Sequence, residues 1–346
     1  MRCMKILASA AVVSGLMAGT ALASGYTFKL VHKIPLPTKR GHGDWVAYDP
    51  GNHDVYVSLI NGMAVVSTKT NKVIHFFSGK EIPAPNTMTY DANYIYETAA
   101  EGPGAGKVNQ VVVISEKTWH IVDHVNTVGT SPDGVFIDRE NHKLYVVSDD
   151  DNWIDVYTAT AHPQFITKYA LYPEKPVSGP DVANLYGNTI FATDDCWVLK
   201  LNANTGAIED KMNYECKLNK FGGTKDMFRE NDDTLWVATT DGVQPNGEKA
   251  GMLIINPATL AVEKQLPETS GVDAVAWDRG LGLVYAFEGG VPGFDVYSIN
   301  DMKRIATVKT GTAKPTHSGA VDPETHMVYA YAGGDASLDV YEPVKN

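Results

Sequence analysis

Seven polar residues stand at the heads of seven similar segments of this chain: Asp44, Asn86, Asp133, Asp181, Asp226, Asp273 and His317. Five carboxylates, an amide and an imidazole are hard or borderline metal ligands. Brought together, they would suit a divalent cation, calcium foremost because oxygen donors dominate. His42, two residues before Asp44, would add a second imidazole. The same set would equally suit a small cationic ligand or a basic protein. Crowded carboxylates disfavour one another's ionised form, and a bound cation or proton uptake relieves that cost. A plainer account competes, in which each acid orders its own loop by accepting backbone N–H bonds. His42 and His317 are the most informative members, since they depart from the acidic pattern.

The elements that would position these residues come from an internal repeat. The segments DWVAYD, NTMTYD, DGVFID, DVANLY, DMFREN, DAVAWD and HSGAVD align without a gap, at successive spacings of 42, 47, 48, 45, 47 and 44 residues. Each is followed by a second apolar strand, such as DVYVSL or KLYVVS, then by a third such as IDVYTAT or FDVYSIND, and in most units by a fourth such as KVIHFFS. Short strands with frequent turn signals and no helical period predict an all-β chain. Four-stranded units repeated seven times predict a seven-bladed β-propeller with antiparallel blades. The last unit ends after its third strand, at LDVYEPVKN, so the mature N-terminal segment YTFKLVHKIPLP is expected to supply the fourth and close the ring. Closure would remove the sheet edges that an open array exposes. The sixth positions, Asp49, Asp91, Asp138, Asn231, Asp278 and Asp322, fall between strands and read as turn-forming residues.

Units such as DVYVSLINGMAVVSTKTNKVI and KLYVVSDDDNWIDVYTAT resemble the YVTN-type repeat of exported bacterial seven-bladed propellers of the YncE-like group. The resemblance spans residues 26–346. It implies a propeller and little about activity, because propellers with this repeat include ligand-binding proteins, surface-layer proteins and lactonase-like enzymes.

The N-terminal residues 1–23 carry Arg2 and Lys5, the apolar run ILASAAVVSGLMAG and the small-residue pattern Ala21-Leu22-Ala23, which together read as a cleaved signal peptide. Residues 24–346 are then expected to form one propeller domain, periplasmic or secreted and monomeric, with no membrane span. Cleavage would remove two cations and no acid, taking the net charge from −12 to −14. Such a surface repels nucleic acid and attracts basic partners. Cys196 and Cys216 remain, on either side of the turn NANTG, and an exported chain with two thiols invites a bridge between them. No CxxCH or paired CxxC occurs, which argues against covalent haem and cysteine zinc sites.

The heads of the seven segments are expected at the mouth of the central channel. The loops between second and third strands would add Glu101, Asp149, Asp150, Asp151, Asp194, Asp195, Asp241, Glu288 and Asp335 to the same face. The reading that follows is a ligand-binding or protein-interaction scaffold with an acidic mouth. Its alternative is a metal-dependent, lactonase-like hydrolase, in which a channel-bound ion polarises a carbonyl and an adjacent Asp or His acts as base. A quinone-linked dehydrogenase component ranks third, since no repeated TGxxxW motif is present. Other patterns carry less. GPGAGK at 102–107 lacks the Ser or Thr and the helix of a phosphate loop. Ser58, Ser148 and His317 can be drawn as a triad, but no GxSxG elbow accompanies them.

Overall fold

The computed structural model describes residues 25–39, 43–100, 108–175, 179–214, 223–229, 234–240, 251–267, 271–311 and 314–346. The predicted leader, His42, residues 102–107, Glu101, Cys216, Asn231 and Asp241 lie outside them. Strand β1 (Tyr26–Pro35) precedes the first blade, which comprises β2 (Gly43–Asp49), β3 (Asp54–Leu59), β4 (Gly62–Ser67) and β5 (Lys72–Ser78). Blade 2 is β6 (Pro85–Tyr90), β7 (Tyr94–Ala100), β8 (Asn109–Ser115) and β9 (His120–Asn126), and blade 3 is β10 (Pro132–Asp138), β11 (Lys143–Ser148), β12 (Trp153–Thr158) and β13 (Phe165–Ala170). Blade 4 is β14 (Ala183–Tyr186), β15 (Thr189–Asp194), β16 (Trp197–Asn202) and β17 (Ile208–Asn213), and blade 5 is β18 (Gly223–Arg229), β19 (Leu235–Thr240), β20 (Met252–Ile255) and β21 (Val262–Leu266). Blade 6 is β22 (Val272–Asp278), β23 (Leu283–Glu288), β24 (Phe294–Ser298) and β25 (Lys303–Val308). Blade 7 is β26 (Gly319–Val321), β27 (Val328–Ala332) and β28 (Ser337–Lys345), completed by β1.

This is the seven-bladed β-propeller expected from the repeat, with no helix among the described residues. The innermost strands β2, β6, β10, β14, β18, β22 and β26 touch in succession, and β26 returns to β2. The closing strand behaves as expected: β1 lies antiparallel to β28, with Leu30 opposite Tyr341 and Ile34 opposite Leu338.

An aromatic residue at one position of every second strand explains why the blades stack. Tyr56, Tyr96, Tyr145, Phe191, Trp236, Tyr285 and Tyr329 are all buried. Because each blade is covered on both faces, β3, β4 and β23 are buried along their whole length, whereas outer strands such as β13 and β17 are mostly exposed. The apolar residues fall into seven clusters, one at each seam between neighbouring blades. Burial therefore stabilises the contacts between blades more than any one blade by itself.

The turn acids do what their type predicts. Asp49 accepts Gly51 N at 2.7 Å, Asp91 accepts Asn93 N and Tyr94 N at 2.8 and 2.9 Å, and Asp138 accepts Asn141 N at 2.9 Å. Asp278 and Asp322 accept Leu281 N at 3.0 Å and Glu324 N at 2.9 Å.

Candidate functional site

The innermost strands begin irregularly, and the irregularity sets the seven head residues. In blades 1, 2, 3 and 6 the register shifts between residues 43 and 46, 85 and 88, 132 and 135, and 272 and 274, so Asp44, Asn86, Asp133 and Asp273 each sit in a bulge. A bulge frees a residue from the ladder and re-aims its side chain. Two residues earlier the chain turns through a left-handed conformation at Ala84, Ser131, Gly179 and Gly271. Gly179 has no substitute: a Cβ there would lie 1.8 Å from the Asp149 carboxylate.

Register moves one of the seven away from its expected place. Val46 pairs with Val57, one residue beyond the repeated aromatic position Tyr56, and the matching pair in blade 5 is Met227 with Val237, one beyond Trp236. Counting back, the head position of blade 5 belongs to Lys225, and Asp226 holds the next one, equivalent to Trp45, Thr87 and Ser318. A gap-free alignment slips here because Asp226, the residue after the head position, supplies the Asp that heads most of the other segments. Asp226 is buried and spans a seam: its Oδ2 accepts Val275 N at 2.9 Å and its Oδ1 accepts Met227 N at 2.7 Å. Ser318 does the same at another seam, accepting Val46 N at 2.9 Å.

The remaining heads have varied fates. Asn86 donates its amide to Pro132 O at 2.9 Å, and Asp133 O accepts Thr98 Oγ1 at 2.7 Å, so both help join blades 2 and 3. Asp181 O accepts Gly134 N at 3.1 Å. Asp273 and His317 meet across the seam of blades 6 and 7, with Asp273 Oδ2 2.6 Å from His317 Nδ1.

Carboxylates do influence one another along this end of the ring. Burial, with the charges of Asp273 and Asp181 adding to it, raises Asp226 to about 7 against the pull of its two backbone donors. Asp194, at the end of β15, is fully buried, and neither carboxylate oxygen has a hydrogen-bond partner. Burial, then Asp195, Asp149 and Asp181, push it to about 9, so at neutral pH it holds a proton. Asp195 accepts Gly179 N at 3.3 Å, and the next residue, Cys196, is disulfide-bonded.

Sequence reasoning passed over Glu97. It is fully buried in β7, where the other blades carry Val or Ala, and accepts Ser58 Oγ at 2.8 Å while its second oxygen has no partner. Burial lifts it well above the usual carboxylate range, Ser58 opposes this, and Asp44 adds to it. A Glu inside the apolar run YIYETAA was the available signal. The third-strand copies of the motif Asp-Val-Tyr, at Asp155, Asp295 and Asp339, were another. All three acids are buried third-strand residues, and they bind Gly129 N at 2.7 Å, Arg304 Nη1 at 3.0 Å and Ser337 Oγ at 2.7 Å respectively.

Among the described residues, no group of three or more His, Cys, Asp or Glu side chains is gathered closely enough to hold a metal ion. What these residues can do is hold protons at neutral pH and offer negative potential to a cation.

No family model matches the chain, and no curated protein matches its sequence. Among solved structures, a chain of the crystal structure of the mitotic checkpoint complex superposes with a TM-score of 0.71 over 99% of both chains, at 12% sequence identity. At that identity the likeness establishes the shared propeller fold and nothing further.

Proposed function

We propose that this chain is an exported YVTN-type propeller that acts as a binding scaffold, taking a cationic organic ligand or the basic segment of a protein partner at the end of the ring where the innermost strands begin. The observation that carries the reading is the influence of carboxylates across blades: Asp149 of blade 3 on Asp194 of blade 4, and Asp181 of blade 4 and Asp273 of blade 6 on Asp226 of blade 5. Like charges are costly together, and a cation placed among them removes that cost. An organic cation fits better than a divalent ion, because the described carboxylates do not gather as a ligand set. Lactonase-like hydrolysis would require such a set. Export is supported by the leader-like residues 1–23 and by the disulfide at Cys196, which suits an oxidising compartment.

Calorimetric titration of the protein with an oligolysine peptide tests this. Binding should weaken steeply with salt, and the paired substitutions Asp181→Asn and Asp273→Asn should lower affinity about tenfold or more, as removal of close charge pairs does at interfaces. Equal affinity in parent and double variant would sink the reading.

A further inference from the structure

On the opposite end of the ring, where first strands turn into second strands, the repeat carries a second pattern: Asp-x-x-x-His, at Asp49 to His53, Asp138 to His142 and Asp322 to His326. All three histidines occupy the left-handed region, with φ of 59°, 50° and 63°. This shared conformation aims each ring back toward the preceding blade. At the seam of blades 6 and 7, His326 Nδ1 meets the turn acid Asp278 at 2.7 Å. At the seam of blades 7 and 1, His53 Nδ1 lies 3.2 Å from Tyr48 Oη and 4.0 Å from Glu324 of the preceding blade.

The seam of blades 2 and 3 has the same two residues and no such tie. His142 and the turn acid Asp91 both line a cavity of about 460 Å³ that separates them. That volume lies within the usual range for small-molecule sites. Arg139, next to the turn acid of blade 3, lines it too. Its guanidinium is fixed from behind, donating to Tyr90 O and lying 5.5 Å from the centre of the Tyr90 ring. No carboxylate of the described residues pairs with it, on a chain whose acids outnumber its lysines and arginines by 41 to 29. Across the cavity, Asp91 Oδ1 serves its own turn, whereas Oδ2 has only a long contact of 3.4 Å from Tyr96 Oη. Ile137 and Ala159 supply an apolar wall between these polar ends.

We propose that this cavity binds a small carboxylic acid that also carries a hydrogen-bond donor, an amino-acid-like zwitterion with its carboxylate on Arg139 and its ammonium toward Asp91. The ligand would complete the bridge that His326 and Asp278 make directly at the other seam. A planar guanidinium already fixed by its neighbours suits a carboxylate, because two parallel N–H bonds form with little further ordering. The apolar wall then fits an aliphatic side chain.

Three probes separate the parts: L-leucine, 4-methylpentanoic acid, which lacks the ammonium, and 3-methylbutylamine, which lacks the carboxylate. Titrated into the full chain and followed by calorimetry, leucine should bind, and each half-ligand should bind about tenfold more weakly or worse, the cost of one lost charge-assisted hydrogen bond. Arg139→Gln and Asp91→Asn should each weaken leucine by a similar factor. Asn keeps the oxygen that accepts Asn93 N and Tyr94 N, and Arg139 is exposed, so both variants should keep the parent melting temperature. Asp181→Asn, at the far end of the ring, should leave leucine binding unchanged, which separates this site from the acidic one. The proposal is overturned if leucine fails to bind, if either half-ligand binds as tightly as leucine, or if Arg139→Gln binds leucine like the parent.

Discussion

A single buried acid can shape how the protein responds to pH, and Asp194 is placed to do so. In the folded protein burial and three neighbouring carboxylates hold its pKa at about 9, against 3.8 when unperturbed. Folding therefore takes up a proton between those values. The sign follows: the group imposes no penalty below about pH 4, and stability falls as pH rises toward 9. Asp194→Asn has no proton to exchange. Its unfolding free energy in urea should match the parent near pH 4 and exceed it increasingly up to pH 9, by at most about 1.4 kcal/mol per pH unit. Parallel profiles for the two proteins would show that Asp194 is ionised and compensated. The amino-acid sequence made part of this visible. Asp194 could be placed at the loop end of a second strand from the motif TIFATDD, but its lack of partners depends on which loops pack over it, and spacing does not carry that information. Glu97 was legible in principle, since a carboxylate within an apolar strand has few places to go other than a seam.

At the scale of a strand, register decides whether an acid faces a ligand or a neighbouring blade. Asp226 resembles the other head residues in its local sequence and does the work of Ser318 in space. The aromatic of the second strand, Trp236 here, is the reliable marker, because its burial is fixed by the stacking of blades, whereas the head residues sit in bulges that tolerate one residue more or less. The substitution series follows from this role. Asp226→Ser should keep the bond from Val275 N, as Ser318 keeps that from Val46 N, and be nearly neutral in chemical denaturation. Asp226→Ala leaves a buried amide without its acceptor and should cost about 1–3 kcal/mol. A direct role for Asp226 in binding predicts the reverse pattern, with Ser and Ala alike in stability and alike in lost affinity for oligolysine. The Asp-x-x-x-His pattern is the same lesson at the other end of each strand pair: three copies are alike in sequence, and the packing of two blades decides which of them is tied and which opens onto a cavity.

For the molecule as a whole, the ring is held by seven seams, and one strand from the far end of the chain completes the last blade. The seven-fold count was legible because a repeat exposes its own period, and closure was legible because the last unit lacked a strand that the N-terminus possessed. What the ring binds was not, since a propeller keeps its fold while its loop residues vary. Strand β1 works on two seams at once. Ile34 is buried in the cluster between blades 7 and 1, and Phe28 packs edge-on against Tyr285 and Phe294 of blade 6, with centroids 6.0 and 6.3 Å away. Removing Tyr26–Pro35 therefore uncovers β28 as a free edge and strips apolar contacts from both sides of blade 7. The truncated protein should melt well below the parent and self-associate through β28, because an unpaired strand is a template for another. A synthetic peptide with the sequence of residues 26–35 should restore the parent's melting temperature and oligomeric state, adding itself to the edge by main-chain bonds and filling the same pockets. The same peptide with Phe28 and Ile34 replaced by lysines should do neither, since the backbone bonds remain available to it and the buried contacts do not. If the truncated protein melts like the parent without any peptide, the ring does not depend on this strand for closure.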